Sequence, residues 1–338
     1  MKITCTKLPT RASGRARGAS QLALLTLLGL VPGLGLSKGI IKGEDTFELK
    51  YGYKLPPLAK GDKVVAWIPL AATDAFQKIE RKVASHGLKL SESKDPEFAN
   101  AVLSATPTSD GAAPSIEVIY RVTRREKEIY PVGPEAKNEI YLRSEPLVPL
   151  TERFKTIATE VTRGKSSAMD KGRALFEYVL GEMKYDKSGT GWGRGDAVYA
   201  CDSKTGNCTD FHALFIALAR SAGIPARFAI GFDVPAQMDE GKIEGYHCWA
   251  EFLAEGQWVP VDISEAAKEP ELKAYYFGHH PANRLQLSAG RHLRVTPAPA
   301  SGPLNFLAHP FVELNDKPVK GTVGTYTFKR LRSPGQKT

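Results

Sequence analysis

Apolar positions recur along this chain with two different periods, and the change of period divides it. A first apolar run, Leu22 to Leu36, is broken by Gly29, Pro32, Gly33 and Gly35. At about 15 residues it is short for a membrane span, which needs roughly 20. Beyond it, Val64-Val65-Ala66-Trp67-Ile68 reads as a short strand, and Ile116 to Val122 alternates with β-branched residues, as a strand does. Between them, Phe76, Ile79 and Val83 recur at helical steps and predict a helix over Asp74 to Ser85. Pro107 to Pro114 reads as a turn-rich loop. Residues 38–140 are therefore expected to be a β-rich domain with one helix.

From about residue 141 the helical period takes over. Phe154, Ile157, Ala158 and Val161 share a face of a helix over Thr151 to Thr162. Leu175, Phe176, Val179, Leu180 and Met183 do so over Ala168 to Met183. The glycine-rich segment Gly189 to Gly195 has no strand before it and no Lys-Ser/Thr after it, so it reads as a mobile loop rather than a phosphate cradle. Phe211, Leu214, Phe215, Leu218 and Ala222 mark a third helix, stopped by Gly223 and Pro225. Strand patterns follow at Ala226 to Phe232, Gly245 to Phe252 and Gln257 to Asp262. Residues 141–290 thus read as a separate α+β domain. Residues 291–338 read as a C-terminal hairpin segment, with Pro310 to Leu314 and Val323 to Phe328 about a turn at Asn315-Asp316.

Charge changes the picture only at the N-terminus. The chain carries a formal +9 over 338 residues, with 42% apolar and 25% charged side chains. Lys2, Lys7, Arg11, Arg15 and Arg17 precede the apolar run, and small residues follow it at Gly35-Leu36-Ser37. These are the three parts of a secretory signal, so residues 1–37 are expected to be cleaved on export to a periplasmic or secreted location. A membrane association arises only if that segment is retained as an anchor. Cleavage removes five basic and no acidic side chains and leaves +4. The one basic cluster, Arg121, Arg124, Arg125 and Lys127, is interrupted by Glu126 and Glu128, and a nucleic-acid partner is not expected.

The candidate chemistry is centred on Gly206-Asn207-Cys208-Thr209-Asp210. Cys208 falls in the first turn of the third helix, where unpaired backbone N–H groups and the positive end of the dipole favour a thiolate. His247 and Asp262 stand on neighbouring strand patterns joined by a turn at Glu255-Gly256. Such a pair lets the carboxylate fix the imidazole while its other nitrogen takes the thiol proton. By alternation Cys248 faces away from His247 and reads as core. His212, one turn after Cys208, is a rival base or a structural group. Cys201 admits two pairings, an inactivating bridge to Cys208 or a structural one to Cys248. A zinc site on Cys208, His212, His247 and Cys248 is a further rival, opposed by the divergent directions of His247 and Cys248.

Together, Gly206-Asn207-Cys208, Tyr246-His247-Cys248-Trp249-Ala250-Glu251 and Trp258-Val259-Pro260-Val261-Asp262 resemble the three signature blocks of the transglutaminase-like superfamily, in the order Cys, His, Asp. Ala219 to Arg227 also resembles that family's helix end and following strand. The resemblance implies a papain-like fold, with the cysteine's helix packed on an antiparallel sheet carrying His247 and Asp262. It implies attack on an amide or peptide bond through a thioester, with no metal or organic cofactor. Where eukaryotic crosslinkers of the family usually carry Gln and Trp on either side of the cysteine, this chain has Asn207 and Thr209. Water and an amine both stay open as the acyl acceptor. The expected partner is a protein, peptide or cell-envelope amide. The competing reading is a catalytically silent module that binds a protein or cell-envelope partner. The oligomeric state is not legible.

Overall fold

The structure, a computed structural model, describes residues 39–55, 58–108, 114–133, 138–319 and 322–331. The expected export signal, residues 1–37, lies outside the described residues, as does most of the turn-rich loop before Pro114. No helix among the described residues is long and apolar enough to cross a membrane.

The first block is all strand: β1 (Glu44–Lys54), β2 (Val64–Leu70), β3 (Gln77–His86), β4 (Leu88–Lys94), β5 (Ala101–Pro107), β6 (Ser115–Arg125) and the short β7 (Tyr130–Pro131). Buried and exposed positions alternate along β1 and β6, so Phe47, Leu49, Tyr51, Val118 and Tyr120 point inward. They meet Val64, Ala66, Ile68 and Leu103 of the facing sheet in one core.

The helix expected over Asp74 to Ser85 is instead β3, paired with β6 from Gln77↔Arg124 to His86↔Ser115. Three apolar residues in a polar segment gave too weak a helical stripe to compete with a ten-residue ladder. Asp74 caps the preceding turn, accepting from the Phe76 and Gln77 amides at 2.6 and 2.8 Å.

The helices expected after residue 150 are present: α1 (Glu152–Val161) and α2 (Ala168–Glu182), each with a hydroxyl N-cap, Thr151 and Ser167. Short pieces follow, β8 (Lys184–Tyr185), α3 (Ala197–Ser203) and β9 (Thr205–Gly206), before α4 (Cys208–Ser221). Every residue of α4 from Cys208 to Arg220 is buried. Its Ala213, Ala217 and Ala219 let neighbours approach on all sides, and it packs against α1, α2, α3, β10 (Ala226–Asp233), β12 (His247–Ala254) and α5 (Ile263–Lys268).

Strands β10 and β12 lie within a sheet ordered β14-β10-β12-β13-β7, completed by β13 (Gln257–Val261) and β14 (Arg284–Ala289), with β11 (Glu240–Ile243) elsewhere. One face of this sheet, through Phe228, Ile230, Cys248, Ala250 and Phe252, shares a core with α4. Helix α2 also packs closely: a Cβ on Gly172 would stand 2.2 Å from the Phe252 ring. Gly172→Ala is expected to lower stability by about 1–3 kcal/mol through overpacking, which outweighs the ~1 kcal/mol of added helix propensity. A urea midpoint at or above the parent's would contradict this.

The opposite face is polar and meets the β-rich block. Glu251 accepts from Lys127 Nζ (2.8 Å), Tyr130 Oη (2.8 Å) and Arg227 Nε (2.7 Å). Nearby, Gln77 exchanges two hydrogen bonds with the backbone of Gln286, both 3.0 Å. The C-terminal segment differs from its expected hairpin. β15 (Phe311–Leu314) turns at Asn315-Asp316 into β16 (Lys317–Val319), whereas β17 (Thr322–Arg330) crosses to the other sheet and pairs with β1 and β11. The two turn residues have φ of +52° and +62°, which suits a tight hairpin and ends the pairing after three residues.

Candidate active site

Asn207 caps α4, and a capping box fixes the turn that holds the thiol: Asn207 Oδ1 accepts from the Thr209 amide (3.0 Å), and Asp210 Oδ2 accepts from the Asn207 amide (3.0 Å). Asp210 does more than cap. Its two oxygens also accept from the Gly193 and Gly195 amides at 2.7 and 3.0 Å. The glycine segment expected to be mobile is thus tied to the helix tip. Tyr246 Oη completes the strap, accepting from Asn207 Nδ2 (3.1 Å) and donating to the Gly193 carbonyl (3.3 Å). Gly206, at φ +157°, is required because a Cβ there would lie 2.5 Å from Asp210 Oδ2.

Asp210→Ala is expected to cost about 1–2 kcal/mol through the lost cap. It should also release the Gly193 and Gly195 amides to fast hydrogen exchange. Unchanged protection at both amides would show that the strap is held by something else.

The structure brings Cys208, His247 and Asp262 together. His247 opens β12 beside the tip of α4, and its imidazole and the Cys208 thiol shift each other's ionisation. Its Nε2 lies 2.7 Å from Asp262 Oδ2, so Nδ1 is the nitrogen left for the thiol. β13 ends one residue earlier than the sequence pattern suggested, at Val261, and Asp262 is the N-cap of α5, its Oδ1 accepting from the Glu265 amide and Ser264 Oγ, both at 3.0 Å. Arg284 Nη2 reaches Asp262 Oδ2 at 2.6 Å. The orienting carboxylate is therefore held from both sides before it touches the imidazole.

The charges follow from these contacts. Burial pushes the Cys208 thiol up, but hydrogen bonds from Cys248 and His247, and the charges of His247 and Lys268, outweigh it and hold the thiol well below its ordinary value. Burial alone would lower His247, but the Asp233 and Asp262 carboxylates raise it to about 10. Asp262 is pushed up by burial and brought well below the usual carboxylate range by His247 and Arg284. Both shifts favour thiolate and imidazolium as the resting pair.

Cys248 is buried, as expected, but the core it faces is the catalytic turn. Its Sγ lies 3.6 Å from His212 Nδ1, and it also favours ionisation of the Cys208 thiol. Burial and the Cys208 charge push the Cys248 thiol well up, so it stays a protonated donor. Cys208 and Cys248 are both free thiols, which rules out either bridge envisaged from Cys201.

His212 is structural. Its Nε2 accepts from the Ile263 amide (3.1 Å), which makes Nδ1 the donor to the Cys208 carbonyl (2.8 Å). Burial lowers it to about 4, so it is neutral. With both nitrogens used it is neither a base for Cys208 nor a zinc ligand. Among the described residues Asp233, His247 and Glu265 stand close enough together to hold a cation. Arg284 (2.9 Å) and Lys268 (2.6 Å) already neutralise the two carboxylates, which leaves no donor set for a metal.

Several site residues carried no sequence signal. Asp233 and Arg284 are cross-strand partners. Lys268 bonds Glu265 and lies over the Tyr185 ring at 4.1 Å. Only Asp233, closing the strand pattern before the histidine block, stood where register reasoning was able to reach it.

The transglutaminase-like superfamily matches this chain at residues 155–263, a segment containing all three of Cys208, His247 and Asp262. An uncharacterized protein of Haemophilus influenzae is 23% identical over 319 residues, covering 81% of this chain and 86% of that protein. The uncharacterized protein YebA of Bacillus subtilis is 26% identical over 136 residues, 36% of this chain and 18% of that larger protein. A crystal structure from Cytophaga hutchinsonii, provisionally named a cysteine protease, shares the fold with a TM-score of 0.60 at 13% identity, covering 87% of this chain and 93% of that one. Residues 155–263 of this chain are thus a segment matching the transglutaminase-like superfamily, within a fold shared with the Cytophaga hutchinsonii protein, and Cys208, His247 and Asp262 all lie in that segment.

Proposed function

We propose that the chain is a cysteine-dependent enzyme that cleaves or transfers acyl groups at an amide or peptide bond. One observation carries this reading: the buried His247 imidazole is held by Asp262 through Nε2 at 2.7 Å and, on its other side, interacts with the Cys208 thiol and favours its ionisation. The thiolate attacks the carbonyl carbon, and the oxygen takes the negative charge. The Cys208 N–H, at the first position of α4, has no acceptor within the helix and faces that developing charge. His247 gives its Nδ1 proton to the leaving amine as the C–N bond breaks, which leaves a thioester on Cys208. Water or an amine then gives a proton to His247 and attacks the thioester carbonyl, the C–S bond breaks, and sulfur leaves as the thiolate beside the imidazolium. Asp262 holds the ring throughout. These steps need only the chain's own side chains.

The provisional name of the Cytophaga hutchinsonii protein is consistent with the hydrolytic form of this chemistry. The substrate expected is a protein, peptide or cell-envelope amide. Against this stands the silent binding module, favoured by the thiol's burial at 3% exposure. Incubation with peptides and cell-envelope fractions, followed by intact mass measurement, separates the two. The enzyme leaves an acyl adduct on Cys208 that hydroxylamine removes and that Cys208→Ala abolishes. If no fraction yields an adduct while binding persists in Cys208→Ala, the module reading replaces this one.

A further inference from the structure

One imidazole nitrogen of His247 is faced by two carboxylates. Asp262 Oδ2 lies at 2.7 Å from Nε2, and Asp233 Oδ2 lies at 3.7 Å from the same atom, just beyond hydrogen-bond range. The sheet explains the second. Gly231 of β10 pairs with His247, so Asp233, two residues on, projects from the same face. In the other direction Asp233 pairs with Arg284, whose Nε lies 2.9 Å from Asp233 Oδ1 while its Nη2 reaches Asp262 Oδ2. One guanidinium therefore spans two acids that share one histidine, and Asp233, Asp262 and Arg284 are all buried.

The geometry points to Asp233 as a second positioning carboxylate for His247, balancing the imidazolium when Asp262 is committed to Arg284. The inference rests on the reading of Cys208 as nucleophile. In the resting site the thiolate is the counter-ion of the imidazolium. In the tetrahedral intermediate the sulfur is bonded to carbon and its charge has passed to the oxyanion, while His247 still holds the proton it later gives to the leaving amine. Asp262 Oδ2 is then shared between Arg284 and His247, and a buried imidazolium with half a partner is costly. Asp233 brings the group of two acids, one guanidinium and one imidazolium to zero net charge.

The charged and titratable groups facing His247 are Cys208 and His212 from α4, Asp233 from β10, Asp262 with Glu265 and Lys268 from its cap and α5, and Arg284 from β14. Glu265 Oε1 lies 3.7 Å from Nδ1 but is bonded to Lys268, so it does not replace Asp233 on the Nε2 side.

The test is the ring titration of His247, followed by NMR in a Cys208→Ala background that mimics the loss of the thiolate. Asp262→Asn keeps an N-cap for α5 and so preserves the fold. In that variant the ring is expected to titrate above an ordinary histidine, and adding Asp233→Asn should lower it by at least about one pH unit. Titration at or below the ordinary value in Asp262→Asn alone would overturn the inference, and this result stands even if the double variant fails to fold. Alkylation of Cys208 in the otherwise unaltered chain tests the nucleophile separately. Fast, His247-dependent alkylation with no Asp233 effect on the ring would refute only the second carboxylate.

Discussion

Alkylation of Cys208 by iodoacetamide at neutral pH is expected to slow by about a hundredfold in His247→Ala. In the intact site burial opposes ionisation of the thiol, and the contacts that reverse this come from Cys248, His247 and Lys268. His247 contributes both a hydrogen bond and a charge. Without it the thiol reverts toward an ordinary or higher value, where only a few per cent or less is thiolate near pH 7. The more basic thiolate left behind is intrinsically more nucleophilic, which offsets part of the loss. Turnover should fall further than alkylation, by roughly a thousandfold or more, because the leaving amine also loses its proton donor. Alkylation by His247→Ala within a few-fold of the parent rate would show that helix tip and Lys268 alone sustain the thiolate.

Glu251→Gln is expected to destabilise the protein by about 3–5 kcal/mol, chiefly because it leaves the buried Lys127 without its counter-ion, and the partly exposed Arg227 loses its partner too. Lys127 is buried against Glu251 at 2.8 Å, and Arg227 Nη2 lies at 2.6 Å. The Arg227 bond joins β10 to β12, and the Lys127 bond joins the segment between β6 and β7 to the sheet that holds β12. Burial pushes Glu251 up, yet Lys127 and Arg227 bring it well below the usual carboxylate range. A carboxyl depressed in the folded state contributes stability above its unfolded value, near 4.5, and loses it as pH falls through the folded value. The parent should therefore hold this contribution through neutral and mildly acidic pH and lose it only in strong acid. Glu251→Gln should flatten that acid limb. Denaturant midpoints across pH measure both effects. A loss below 1 kcal/mol would mean the network is no more than a surface ion pair in worth.

The candidate triad was legible because its residues lie in short blocks whose local structure is determined locally. Gly206-Asn207-Cys208 announces a capped helix start, and His247 opens one strand of strong pattern while Asp262 directly follows the next. What supports them was not legible, because it depends on pairing between segments distant in sequence. Arg284 reaches Asp262 only because β14 pairs with β10. Cys248 does alternate away from its neighbour, yet the helix packed on its face brings the Cys208 sulfur to it. The same limit applied to the fold. Helices α1, α2 and α4 carry enough apolar residues to declare their period. In β3 the burial is slight and a ladder with β6 decides, and the destination of β17 follows from where β1 lies.

The central claim is that Cys208 and His247 rest as an ion pair, and the pH dependence of Cys208 alkylation in the unaltered chain tests it most directly. The account predicts that the rate is already on a plateau at mildly acidic pH and changes again only near pH 10, where His247 loses its proton. A single rise centred at or above the value of a free thiol, with no second step, would contradict it.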